Sequence, residues 1–152
     1  MADRASSIVT DDDDDDELFR YEENIQEAER PEVLPERTYV GTIVDVRRTS
    51  TNTGKSNLTL SIMIPPENYP ADFKEENAPD GVTVRFKSQD LSPDTPRGKY
   101  NAKRLAEAMG LSSTVNLKKS DFMDKRVKIE VTHFEVDDGP ILVTRGLPTL
   151  KT

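Results

Sequence analysis

From Asn57 to Ile64 the side chains alternate without a break: Leu58, Leu60, Ile62 and Ile64 fall on one face, and Asn57, Thr59, Ser61 and Met63 on the other. That period predicts a half-buried strand. Just upstream, Tyr39, Gly41 and Ile43 share one parity while Val40, Val44 and Val46 share the other. Apolar residues on both faces around a central glycine predict a strand that bends at Gly41 and serves two packed surfaces. The stretch Thr38 to Ile64 thus reads as two strands joined by a long polar loop, Arg47 to Asn57, carrying Arg47, Arg48 and Lys55.

Further along, Gly81 to Ser88 alternates again, with Val82, Val84 and Phe86 inward and Thr83, Arg85 and Lys87 outward. Between it and the second strand, Pro65 to Gly81 is rich in proline and charge and reads as a long loop; Tyr69 and Phe73 in it could fold over a strand as a flap, although a plain exposed loop is the commoner form. A turn-rich stretch leads into GKYNAKRLAEAMGL, where Ala102, Leu105, Ala106 and Met109 lie on one helical face and Gly110 supplies a C-cap. A fourth strand over Arg126 to Val136, the turn Asp137-Asp138-Gly139 and a fifth strand over Ile141 to Thr144 follow, and LPTLKT reads as a tail.

The first 32 residues differ from all of this. Met1 to Asp16 is almost devoid of apolar residues and ends in six consecutive aspartates, which predicts disorder. In ELFRYEENIQEAER, Leu18, Tyr21, Ile25 and Ala28 recur at helical spacing, with Asp16 as cap and Pro31 as stop, so a short amphipathic helix is expected over about 17–30. Glu32 to Arg37 reads as an extended linker.

Charge sharpens this division. The chain of 152 residues carries a net charge of -8. Residues 1–32 hold thirteen acidic side chains against three arginines, net -10, whereas the remaining residues hold eighteen basic and sixteen acidic side chains, net +2. An acidic arm, residues 1–32, is thus joined to a mildly basic domain, residues 33–152. There is no cysteine and a single histidine, His133, so disulfides, thiolate metal sites and histidine clusters are excluded. His133 is in phase with Val127, Ile129 and Val131 and is expected to be a packed strand residue. No apolar run approaches the roughly 20 residues of a membrane span or the core of a signal peptide, so a cytoplasmic chain without a membrane partner is expected.

Three strands, one helix and a two-strand hairpin follow the element order of the oligonucleotide-binding (OB) fold, a five-stranded Greek-key barrel with its helix between strands three and four. YVGTIVDV, the polar loop ending in TGKSN, LTLSIMI, the helix ending in EAMGL, and DFMDKRVKIEV together resemble the small phage-encoded OB-fold proteins that bind single-stranded DNA in replication and recombination. The resemblance covers roughly Leu34 to Leu147. It implies a mainly β fold, no cofactor and no catalysis, with single-stranded DNA as partner in a host cytoplasm. Replication or recombination proteins and further copies of the chain are also candidate partners.

Single-strand binding needs cations for phosphates and flat side chains for bases. The candidate cations are Arg47, Arg48 and Lys55 at the first loop, Arg85 and Lys87 on strand three, and Lys99 and Lys103, with Arg97 and Arg104, around the helix. Candidate stacking residues are Tyr100 and Phe134; Phe86 shares the parity of Val82 and Val84 and belongs to the core. The arm segment Asp11 to Phe19, DDDDDDELF, resembles the acidic tails by which such proteins regulate access to DNA and recruit partners. That resemblance makes Asp11, Asp12, Asp13, Asp14, Asp15, Asp16, Leu18 and Phe19 the candidate partner-binding residues. Here the run stands near the N-terminus and no free carboxylate follows Phe19. The other reading left open is an OB-like protein-interaction or structural module without nucleic-acid binding.

Sharper chemistry is excluded by spacing. TNTGKS resembles the end of a phosphate-binding loop, but Thr49 stands where the first glycine is required and a strand follows instead of a helix. A flexible aspartate run lacks the fixed oxygen geometry of a specific cation site. No nucleophile, base and orienting group stand together in a recognisable pattern, so an enzyme is not expected.

Overall fold

The computed structural model describes residues 16–29, 32–111 and 116–151. The chain divides into two compact units, Met1–Pro31 and Glu32–Thr152. The second holds β1 (Thr38–Ser50), β2 (Ser56–Ile64), β3 (Val82–Lys87), the helix α1 (Pro96–Ala108), β4 (Arg126–Val136) and β5 (Gly139–Leu150). This is a mainly β unit with one helix, in the order the sequence predicts. The sheet closes on itself in the order β1-β2-β3-β5-β4, with β1 pairing back to β4. All pairings are antiparallel except that of β3 with β5, which meet in parallel at Arg85 and Val143.

The two-faced pattern of β1 has a local cause that differs from the expected bend at glycine. A register shift between Ile43 and Asp45 inserts one extra residue, and the parity of the strand reverses there. Tyr39, Gly41 and Ile43 face the core before it and Val46 after it, while Val44 is exposed. Gly41 serves close approach instead: a Cβ there would lie 2.7 Å from Ile62 Cγ2 and 2.9 Å from the carbonyl oxygen of Met63.

Within the ring, Leu60, Ile62 and Ile64 of β2 meet Val84 and Phe86 of β3 and Val127, Ile129 and Val131 of β4. All are buried, Phe86 included, as its parity predicts. Core residues also come from outside the strands. Leu34 is buried, and Glu32 to Arg37 is no free linker but a strap along β4. Its Glu36 Oε2 accepts from the His133 amide and the Thr132 hydroxyl, both at 2.7 Å. His133 Nε2 lies 2.7 Å from the carbonyl oxygen of Leu34, so the strand histidine is half-buried and tied to the strap. These bonds hold the Glu36 carboxyl below its usual pKa, the His133 amide first and the Thr132 hydroxyl second.

The proline-rich connection is not a plain exposed loop: its two rings pack onto the core. Phe73 is buried and meets Tyr69 edge-on at 5.0 Å, and the Tyr69 hydroxyl donates to the carbonyl oxygen of Ala78 at 2.7 Å. Burial raises the Tyr69 hydroxyl pKa. The tail is no tail either: β5 continues to Leu150 past a break in register opposite Ile129, with Gly146 at φ 74°. Pro148 is fully buried there.

In the first unit, residues 16–29 do not form the expected helix. A 3-10 turn, Ile25–Glu27, is capped by Asn24, whose Oδ1 accepts from the Gln26 amide at 2.9 Å. Leu18, Phe19, Tyr21 and Ile25 are exposed. A helix of this length needs its apolar stripe buried to persist, and among the described residues of this unit Leu18, Tyr21 and Ile25 stay exposed.

Candidate nucleic-acid interface

Cross-strand register decides which cations share a surface. Arg47 pairs with Thr59, and Thr59 pairs with Lys87, so one row across β1, β2 and β3 reads arginine, threonine, lysine. The neighbouring row reads Asp45, Ser61 and Arg85, continues to Val143 on β5 and ends at Thr132 on β4. Because side chains alternate, Arg47, Arg85 and Lys87 project from the outer face of the ring with only small polar groups between them. Arg47 is partly neutralised: its Nε lies 2.7 Å from Asp45 Oδ2 in an exposed ion pair of little energetic weight. Among the described residues neither Arg85 nor Lys87 has an ion-pair partner.

The connection between β1 and β2 is shorter than its polarity predicts. Arg47 and Arg48 belong to β1, and only residues 51–55 turn. The Thr51 amide donates to the Lys55 carbonyl at 2.8 Å, and the Lys55 amide donates back to the Thr51 hydroxyl at 3.1 Å. Gly54 takes φ 84°, which few other residues tolerate. Lys55 thus sits on a compact exposed turn.

Arg48 is one residue from Arg47 and therefore points the other way. It lines a groove of about 950 Å³ between the β1–β2 end, α1 and residues 116–119. Lys99 and Lys103 line the same groove, so the predicted cations divide between two surfaces. Sequence reasoning missed Lys118 and Lys119, which also line it. The adjacent lysines before DFM were the available signal.

A knot of polar groups fixes this groove. Asp90 Oδ1 accepts from the Ser56 amide at 3.0 Å and from the Ser92 hydroxyl at 2.6 Å, and Asn101 Nδ2 on α1 donates to the Asp90 carbonyl at 2.8 Å. A Cβ on Gly98 would collide with the carbonyl oxygen of Ser92, so only glycine lets the first turn of α1 pack so closely. The Thr95 hydroxyl caps the helix by accepting from the Gly98 amide at 3.0 Å. Donation from the Ser92 hydroxyl, then from the Ser56 amide, holds the Asp90 carboxyl below its usual pKa.

The remaining candidates are scattered. Tyr100 is exposed on α1 but is not among the residues lining the groove. Phe134 is 58 % exposed and pairs with Ile141, next to the Thr132–Val143 pair that ends the Arg85 row. Asp16, Leu18 and Phe19 are exposed in the first unit, while Asp11, Asp12, Asp13, Asp14 and Asp15 lie outside the described residues. Among the described residues no helix is long and apolar enough to cross a membrane. A scan against protein-family models gave no match, nor did a search of curated proteins.

Proposed function

We propose that this chain is a non-catalytic single-stranded-DNA-binding protein on an OB-like Greek-key barrel, acting in DNA replication or recombination in the cytoplasm of a phage-infected host. The observation that carries this reading is the cross-strand row of Arg47, Thr59 and Lys87 beside Arg85 on the outer face. In OB barrels that face of strands two and three is where oligonucleotides bind. Cations interleaved with hydroxyls neutralise phosphates and donate to them without selecting a base. Phe134 offers one exposed ring for stacking, so affinity rests mainly on phosphate contacts. Asp137 and Asp138, exposed at the β4–β5 turn, repel a phosphate chain and favour a path toward Lys55.

The test is fluorescence anisotropy of a labelled oligothymidylate titrated at several salt concentrations. Binding is expected at low salt, and Lys87→Ala is expected to make the log–log salt dependence shallower by about 0.7. Arg85→Ala should weaken binding to all sequences alike. No binding at low salt, or unchanged binding by the Arg85→Ala/Lys87→Ala chain, overturns the reading.

A further inference from the structure

The groove behind Arg48 differs in chemistry from the outer face. Its rim carries Arg48, Lys99, Lys103, Lys118 and Lys119 against a single carboxylate, Glu107. Among the described residues none of these five cations is in an ion pair. Its lining is otherwise mainly apolar, with Val46, Leu58, Leu91, Ala106, Leu117 and the buried ring of Phe122 beside the polar Ser56, Asn57 and Asn116. The groove, about 950 Å³ and half open to solvent, is at the upper end of size for a ligand site. A base seeks a flat ring on which to stack, and no exposed aromatic lines this groove. Aliphatic depth under a cationic rim matches a ligand with bulky apolar groups between carboxylates.

We propose that this groove docks an acidic peptide segment of a partner protein, with leucine or phenylalanine anchors on the aliphatic floor and flanking carboxylates on Lys99, Lys103, Lys118, Lys119 and Arg48. The site stands apart from the oligonucleotide face. Arg47 and Arg48, adjacent in β1, mark the divide, one outward and one toward the groove. A chain carrying both sites holds nucleic acid on one surface and a protein on the other.

The experiment titrates full-length protein into a fluorescein-labelled peptide of sequence EDLEEFLED, which does not occur in this chain, in low salt, beside a twin peptide with its leucines and phenylalanine replaced by serine. Saturable binding of the first peptide and at least tenfold weaker binding of the twin are expected. Lys99→Glu/Lys103→Glu, at two exposed positions, should weaken the peptide by about tenfold or more. Ala102→Trp should block it by filling the groove, while Arg85→Ala/Lys87→Ala should leave it unchanged. Thermal unfolding of each variant verifies that the fold is retained. The proposal is overturned if the peptide does not bind, if the serine twin binds equally well, or if oligothymidylate displaces the peptide and the Lys99→Glu/Lys103→Glu chain loses oligonucleotide instead.

Discussion

Gly41 and Asp90 do more for this molecule than their composition classes imply. Any side chain at Gly41 meets both a buried isoleucine and a backbone oxygen of β2. Gly41→Ala therefore forces the β1–β2 pair apart and is expected to destabilise by about 1–3 kcal/mol, read as a lower urea midpoint with unchanged slope. Asp90 and Glu36 both have lowered pKa values, so each stabilises the folded state fully above its ordinary pKa, 3.8 and 4.5 respectively. That contribution is lost as pH falls through the lowered folded value. The urea midpoint is expected to drop as pH falls below about 4.5, and Asp90→Asn/Glu36→Gln should flatten that drop. Neither residue stands out in the sequence, where carboxylates are abundant; only the amides and hydroxyls folded around them set them apart.

At the scale of elements, the alternating runs of β2 and β3 were legible because each buries one face, and the apolar stripe and glycine stop of α1 were equally plain. The misread segments share a different physics. β1 changes parity at an inserted residue, which a period of two does not reveal. β5 crosses Gly146 and Pro148, two residues that normally end a strand, and then resumes pairing with Lys128 and Val127. Ending the chain after Gly146 removes those pairs together with buried Pro148 and half-buried Leu147 and Leu150. Such a chain is expected to lose on the order of 3 kcal/mol, seen as a lower thermal midpoint. The arm stretch has the opposite fault: its helical spacing is real, but spacing without burial does not hold a short helix.

For the whole molecule, every buried core residue among those described lies between Leu34 and Pro148, inside the unit Glu32–Thr152. A chain beginning at Glu32 is accordingly expected to unfold in one cooperative transition, with circular dichroism and Tyr fluorescence coinciding. It keeps eighteen basic and seventeen acidic side chains, close to neutral, where the full chain is strongly anionic. Under the proposed function its affinity for oligothymidylate should exceed that of the full chain several-fold near about 20 mM salt and match it near about 0.5 M, where screening is nearly complete. Equal affinities at all salt concentrations would show that the acidic arm has no electrostatic role.

The sequence by itself determined the order of five strands and one helix, the inward set of β2 and β3 and the separation of acidic arm from mildly basic domain, because periodicity and charge are local properties of a chain. Tertiary structure alone decided which cations share a surface. Arg47 and Lys87 are forty residues apart and become members of one row only through the β1–β2–β3 register. Arg48, next to Arg47, joins Lys99 and Lys103 only because the Asp90 knot brings α1 against the end of β1 and β2. Contacts between distant residues depend on pairing and packing, which no local period encodes.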